Sequence, residues 1–435
     1  MSALTRRARI GAERAPARGR VLVIVQNLPV PFDRRVWLEC QALTEAGYEV
    51  HVVCPKAPGD PTHERVDGVM LHKYRPSPAG SGLAGYIVEY SHSFVMTAWL
   101  ALRAFRRNRF DVIQTCNPPD IFWALGLLFG STTGCRFVYD QHDLCPELYA
   151  SRFPNGSRLA ARALRTLEGL NYRTADHVIA TNNSYKSVAI SRGGKQSADV
   201  TVVRTGPDAE RLRRQSPDPI RKRGRRYLVA YLGVMGPQDG VDYVVRAADH
   251  IVNRLGRDDI GFTLVGSGDC FDELVALRDS LGLRDYVEFT GRVPDDVVAR
   301  VLSTADIGLS PDPLNPLNDV STMNKTLEYM AFELPVVAFD LRETRVSAGT
   351  AAVYAEPNKV ESYAKAIVEL LDDEPRRRWM GSLGRRQIEQ ELAWSHQRGG
   401  YVAVYDRLLG HLSPDSGSGH ESSADAGPRR DAAEA

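Results

Sequence analysis

The chain is poor in cysteine, has no long apolar run, and carries charges that nearly cancel, and each shortage removes a class of function. Only Cys40, Cys54, Cys116, Cys135, Cys145 and Cys270 occur in 435 residues, with no Cys-x-x-Cys pair and no Cys/His spacing suited to zinc. Reduced thiols in a cytoplasmic protein are therefore expected, at most near the inner face of the cell membrane. The arginine-rich start, Arg6 to Arg20, leads only into Val21 to Val25, too short for a signal-peptide core. No stretch reaches the roughly 18 uncharged apolar residues of a membrane span. Phe94 to Leu102 and Ile121 to Gly130 come closest and read as buried helices. With 55 basic and 54 acidic residues the formal net charge is +1, which gives no electrostatic reason to expect nucleic acid. No carboxylate cluster suggests a metal, so neither a metal nor another cofactor is expected.

What is present is an ordinary globular composition and a regular alternation of strand and helix patterns. The length exceeds what one compact core accommodates and predicts two domains. Short apolar strands alternating with amphipathic helices predict a doubly wound α/β sheet in each half. Strands are expected at 20–25, 49–54, 69–73, 112–115, 136–139, 177–180 and 200–203, and again at 227–231, 262–265, 287–289, 307–309, 336–338 and 352–354. The domains then run 20–205 and 227–394, joined by a basic linker, 206–226. A helix over 395–412 could cross back to the first domain. The ends, 1–19 and 413–435, lack apolar periodicity and are expected to be disordered.

The segment from Asp319 to Ala331, Asp-Val-Ser-Thr-Met-Asn-Lys-Thr-Leu-Glu-Tyr-Met-Ala, carries the most functional information. Ser321 and Thr322 are candidate caps for a helix on which Lys325 and Glu328 share a face. Helix N–H groups and Lys325 suit a diphosphate, and a carboxylate one turn deeper can accept hydrogen bonds from both ribose hydroxyls. The competing reading is a capped surface helix with one ion pair. Gly233, Gly236, Gly266 and Gly268 follow strands, where they either let a ligand approach the backbone or simply make βα turns.

Tyr231-Leu-Gly-Val-Met-Gly, Leu264-Val-Gly-Ser-Gly-Asp, Phe289-Thr-Gly-Arg-Val and Ala305-Asp-Ile-Gly-Leu-Ser-Pro, followed by Glu328-Tyr-Met-Ala, resemble in order and spacing the GT-B retaining glycosyltransferases of family 4. Asn27-Leu-Pro-Val-Pro-Phe-Asp-Arg-Arg-Val and Tyr139-Asp-Gln-His-Asp-Leu-Cys-Pro-Glu resemble its WbuB-like branch, which works on surface polysaccharides. The resemblance implies two Rossmann-like domains facing across a cleft, a nucleotide-sugar donor, with UDP the first choice, and a glycan or lipid-linked acceptor. It implies a donor site at Gly233, Gly236, Gly266, Gly268, Arg292, Val293, Ser321, Thr322, Asn324, Lys325 and Glu328. His142 would meet the donor sugar, with Asp143 the competing acid/base candidate and Lys325 stabilising the leaving group. Asn27, Phe32, Asp33, Arg34, Arg35 and Asn117 are the acceptor-side candidates. Asp33 also suits a helix N-cap, and Glu147 is expected to cap the next helix.

Two departures from the family pattern stand out. Val234 and Asp239 occupy the positions of an arginine and lysine that clamp the diphosphate, and Val320 stands where a second glutamate is frequent. Arg204, Arg342 and Arg345 are the candidates to replace that charge. A sugar-nucleotide epimerase and a non-catalytic nucleotide-sugar binder are the alternatives. The helix expected over 85–107 combines Ile87, Phe94, Trp99, Leu102 and Phe105 with Arg103, Arg106 and Arg107. It reads either as a core helix or as a peripheral membrane contact.

Overall fold

The computed structural model describes residues 17–77 and 82–411, so most of the ends expected to be disordered lie outside the described residues. The first half builds one sheet from β1 (Arg20–Ile24), β2 (Glu49–Pro55), β3 (His63–Val66), β4 (Val69–Tyr74), β5 (Val112–Cys116), β6 (Arg136–Gln141), β7 (His177–Ala180) and β8 (Val200–Val202). Its order is β3-β4-β2-β1-β5-β6-β7-β8. The second half builds another from β9 (Tyr227–Leu232), β10 (Ile260–Val265), β11 (Val287–Gly291), β12 (Ile307–Ser310), β13 (Val336–Phe339) and β14 (Ala352–Ala355), in the order β11-β10-β9-β12-β13-β14. Every pairing is parallel except β3 with β4. Helices cover both faces, which is why Val21–Ile24 and Leu228–Tyr231 are fully apolar and buried rather than alternating. The two doubly wound domains expected from the sequence are both present.

Strand order reverses between β1 and β5 and between β9 and β12, and the crevice beyond the carboxyl ends at such a point is where these sheets receive ligands. The two domains are joined by contacts such as Arg34 with Glu328, Arg152 with Gln238 and Asn182 with Thr322.

Two features differ from the sequence-based expectation, and a third adds detail to it. Strand β3 has no apolar run, because its side chains are only partly covered; the signal that marks it is the hairpin turn Asp67-Gly68, both residues at positive φ. The helix Glu374–Gln387 begins with Asp373 accepting from the Arg376 N–H and Pro375 in the first turn, but its arginine-rich body hides the apolar stripe. The segment 206–226 is largely exposed, as expected of a linker, but is tied at several points to the second domain. The Gln215 and Asp218 N–H groups donate to Ser303 Oγ and Thr304 Oγ1, Lys222 pairs with Asp306 at 2.8 Å, and Arg225 stacks on Tyr286. Pairing and cation–π contact with the second domain give these basic residues partners that a local reading of charge does not reveal.

The helix Trp394–Leu408 lies on the first sheet, where Trp394, Tyr401, Val404 and Tyr405 join the core around β1 and β2. The Tyr401 hydroxyl donates to Gln114 Oε1 at 2.8 Å, and Tyr48 donates to Asp406 Oδ1 at 2.5 Å. The chain thus crosses from the second domain back to the first.

Candidate active site

The second domain supplies a floor of glycine turns and one lysine. A Cβ on Gly233 would lie 3.2 Å from Lys325 Cε and 2.9 Å from Tyr231 Oη, so this glycine lets the lysine lie flat against the turn after β9. Gly266 and Gly268 serve a different purpose. Their Cβ positions fall 1.8 Å from Gly233 O and 2.7 Å from the Met235 backbone, so they bring two turns together rather than a ligand. The Gly236 N–H, an evident anion donor, is taken by the chain's own Asp239 Oδ2 at 2.9 Å.

Lys325 does not pair with Glu328. Its Nζ donates to Asp312 Oδ1, a buried carboxylate directly after β12, and lies 5.4 Å from the Tyr231 ring centroid. Burial alone would lower the Lys325 pKa, but Asp312 and Asp239 raise it above the ordinary value. Asp239 is pushed up to about 6, first by burial and then by Asp312, against the pull of Lys325, the Gly236 N–H and Arg152. Lys325 therefore sits between two acids.

Glu328 instead accepts from Arg34 Nη1 of the first domain at 3.2 Å, and Arg34 Nη2 donates to Asp295 at 2.6 Å. Arg211 pairs with the other Asp295 oxygen. Burial pushes the Glu328 carboxyl above its usual range, Arg34 opposes the shift, and Asp295 adds to it. Ser321 and Thr322 do not cap the helix Asn324–Ala331: its N-cap is Met323, with no side-chain bond. Ser321 bonds Tyr185 Oη at 2.8 Å, and Thr322 accepts from Asn182 at 3.1 Å. Both hydroxyls thus join the two domains. Val320 does the same, packing against the first domain's core while its carbonyl accepts from Asn182. Asn324 is exposed at the helix start, and Val293 packs on the second core. The Arg292 guanidinium reaches 6.0 Å from the ring centroid of Phe32, across the cleft. Arg204, Arg342 and Arg345 are engaged elsewhere: Arg204 is placed near Ser347, and the other two pair with Asp319 and Asp340.

In the first domain His142 follows β6, and its backbone N–H donates to Asn117 Oδ1 at 2.6 Å. Asn117 is not free for an acceptor. It is buried, its amide donates to Asp120, Tyr139 Oη and Asp143 O, and its carbonyl also takes the Asp143 N–H. Arg35 likewise faces inward. Its guanidinium bonds Asp140 Oδ1 at 3.0 Å, Val203 O at 3.0 Å and Thr205 Oγ1 at 2.9 Å, and it ion-pairs with Glu39.

His142 Nε2 lies 2.6 Å from Asp140 Oδ2 and 3.0 Å from Arg35 Nε. The Arg35 Nε–H donates to His142 Nε2, so this ring nitrogen stands between an arginine donor and the Asp140 carboxylate. Burial alone would raise Asp140, yet Arg35 and His142 hold it well below the ordinary range. Glu39 is driven the other way by burial and by Asp140.

Glu39, Cys116, Asp140 and His142 bring ligand-type atoms within 4.8 Å of one another, an arrangement that sequence spacing did not show. The Arg35 guanidinium supplies a cation to its two carboxylates. Asp143 is pushed up to about 6 by burial, with Asp120 and the second domain's Asp239 adding to the shift against His142. Glu147 sits in the first turn of Cys145–Arg152 but pairs with Arg192. Asp33 is the N-cap of Arg34–Glu45, accepting from the Val36 N–H at 3.1 Å. Asn27 and Phe32 are exposed. A cavity of about 510 Å³ is lined by Phe32, Arg34, Asp60, Glu64, Lys73 and Asp295, among others, so both domains contribute to it. Glu39, Asp140, Asp295 and Asp312 are among the residues here that sequence reading missed.

Comparison with known proteins bears on the family and the fold. Residues 33–206 match the family described as "Glycosyl transferase 4-like domain", and 226–373 match "Glycosyl transferases group 1". The chain is 23% identical over 395 residues to the 2-deoxystreptamine glucosyltransferase of Streptomyces kanamyceticus, spanning 85% of this chain and 97% of that protein. It is 30% identical over 150 residues to the alpha-D-kanosaminyltransferase of the same organism, covering 34% of this chain and 37% of that one. Among solved structures, the sucrose-phosphate synthase of Thermosynechococcus elongatus superposes with a TM-score of 0.74 at 17% identity, covering 91% of this chain and all 100% of that one. Anabaena HepE, solved with UDP and glucose, superposes at 0.65 and 16% identity, covering 89% and 100%.

Proposed function

Starting from a GT-B glycosyltransferase built of a 4-like domain and a group 1 domain, we propose that the chain transfers a sugar from a UDP-sugar, with retention, to a hydroxyl of a surface glycan or its lipid-linked intermediate. The observation that carries this reading is Glu328, on the helix that also bears Lys325, facing the first domain across the cleft and 3.2 Å from Arg34. In the donor complex Glu328 holds the ribose hydroxyls. His142 orients the donor sugar, with Asp140 and Arg35 as positioning residues. Lys325, the uncapped N–H groups at the start of its helix and Arg34 face the diphosphate as charge develops on it. Closure of the domains excludes water that would hydrolyse the donor. No divalent ion takes part, and chelation leaves turnover unchanged. The surface-polysaccharide assignment rests on the loops Asn27 to Val36 and Tyr139 to Glu147, and the cytoplasmic one on six free thiols, five of them buried.

A panel of nucleotide sugars in a thermal-shift assay tests the reading, because a ligand at about a hundred times its Kd stabilises by about 2.7 kcal/mol. A UDP-sugar raises Tm and supports transfer; no shift with any nucleotide sugar refutes the proposal. The placement of Lys325 between Asp312 and Asp239 favours a second reading, a binder without turnover, which predicts the shift and no product even with membranes present.

Asp239 makes donor binding depend on pH. Its carboxylate holds the Gly236 N–H and faces Lys325, Asp312, Arg152 and Gln238, so an incoming diphosphate meets a negative charge. A carboxyl with a raised pKa binds its proton more readily than usual, and that neutral form suits the diphosphate. Donor KM therefore rises as pH climbs through about 6. Asp239→Asn lowers the KM at neutral pH by about tenfold and flattens this dependence, as measured by initial rates from pH 5.5 to about 8.

A further inference from the structure

Two neighbouring helices of the first domain expose apolar side chains that the fold does not use. On Gly82–Arg107, the residues Val88, Val95, Trp99 and Leu102 follow one another at helical spacing on the solvent side, with Ile87 beside them. Trp99 is 51% exposed and Val95 62%. The inner face of the same helix packs Leu100, Ala101 and Ala104 into the core, so this stripe is additional to what folding requires. The adjacent helix, Trp123–Thr133, meets it through the stacked rings of Phe105 and Phe129, whose centroids are 3.7 Å apart. That helix carries no charged residue, and its outer residues Leu127 and Leu128 are exposed. An uncharged helix that is apolar on both sides is suited to burial on both sides. Together the two helices hold seven of the sixteen large hydrophobic residues that are exposed among the described residues.

Charge identifies what covers this face. Exposed Arg103, Arg106, Arg107 and Arg109 crowd the end of the long helix, and the Arg103 guanidinium lies 5.5 Å from the Trp99 ring centroid. Glu89 is the one acidic residue on either helix. Aromatic and aliphatic side chains beside a row of arginines match a surface with an acyl interior and anionic headgroups. The helix is too polar to cross that surface: among the described residues no helix is long and apolar enough to span a membrane. The other end of the stripe, at Ile87 and Val88, is next to Glu89, which accepts from Gln26 Nε2 at 3.0 Å. Gln26 stands at the start of the loop that runs through Phe32 into the cleft cavity.

We infer that this two-helix face docks on an anionic phospholipid bilayer, with the arginines among the headgroups and Trp99, Val95 and Leu102 at the acyl boundary. Docking does not depend on the donor or on turnover. It brings the acceptor-side cavity near the membrane surface, where a lipid-linked acceptor would lie if the proposed function holds.

The test is co-sedimentation of the full chain with vesicles. Wild-type protein pellets with vesicles of phosphatidylglycerol in phosphatidylcholine and stays in solution with phosphatidylcholine alone. Salt at about 0.5 M, where screening acts over a few Å, weakens the binding. Arg103→Ser, Arg106→Ser and Arg107→Ser combined reduce binding about a hundredfold. Trp99→Ser with Leu102→Ser removes it at low salt while thermal stability and transfer to a soluble acceptor stay at wild-type values. Failure of wild-type protein to pellet with anionic vesicles overturns the inference. So does unchanged binding by the Trp99/Leu102 variant, or the finding that this variant only turns a dimer into a monomer in sedimentation analysis. A protein that docks but transfers no sugar leaves the inference standing and removes the proposed function.

Discussion

Lys325→Ala will lose both turnover and stability, and restoring the second without the first separates the two roles of this residue. Lys325 and Asp312 are 10% and 2% exposed, so the substitution leaves an unpaired carboxylate in the interior. Breaking a buried pair on one side costs about 3–5 kcal/mol. An inactive, destabilised single variant would therefore say little about phosphate binding. Removing both partners, Lys325→Ala with Asp312→Ala, eliminates the stranded charge and recovers most of the lost stability, as read from urea midpoints. Transfer in the double variant remains about 10²–10³-fold below wild type, the usual loss when a donor aimed at developing charge is removed. Recovery of activity along with stability would show that Lys325 only neutralises Asp312, and the diphosphate would then rest on the helix N–H groups and Arg34.

That ambiguity arises because the partners of these residues are distant in sequence. Strands β1 to β14, apart from β3, and the glycine turns were legible, since apolar runs and Gly after a strand are local signals. The shared helix of Lys325 and Glu328 was legible for the same reason. The pairing was not. Spacing of three residues suggested that Lys325 and Glu328 meet, whereas Lys325 turns to Asp312 and Glu328 turns to Arg34, which is 294 residues away. Arg35 and Asn117 read as cleft residues because they follow strands, yet both point inward and hold the His142 loop from behind. A strand end places a residue at the crevice; which way its side chain turns depends on buried partners that only the assembled sheet supplies.

The same long-range contact suggests how the domains communicate. Arg34 bridges Glu328 and Asp295, and Arg211 holds the far side of Asp295, so both domains meet at the carboxylate assigned to the ribose. If a ribose takes Glu328 as proposed, it competes with Arg34, which would then be free to turn toward the diphosphate. Arg34 is half exposed, so this exchange needs little desolvation.

Glu328→Ala will lower kcat/KM for the UDP-sugar by about 10²–10⁴, because two hydrogen bonds to a charged group, at about 1.5–3 kcal/mol each, are lost together. Stability changes little. Glu328 is partly exposed, and Arg34 keeps Asp295 as a partner after the substitution. The informative readout is discrimination between UDP and 2′-deoxy-UDP. Wild-type protein prefers UDP because a carboxylate left with one hydroxyl loses part of its hydrogen bonding, whereas Glu328→Ala binds the two nucleotides equally. Glu328→Gln retains an acceptor and a reduced preference. If Glu328→Ala instead weakens both nucleotides alike and keeps the wild-type preference for the 2′-hydroxyl, another group holds the ribose. Glu328 would then act only as the anchor for Arg34, and Arg34→Ala would reproduce its effect in full.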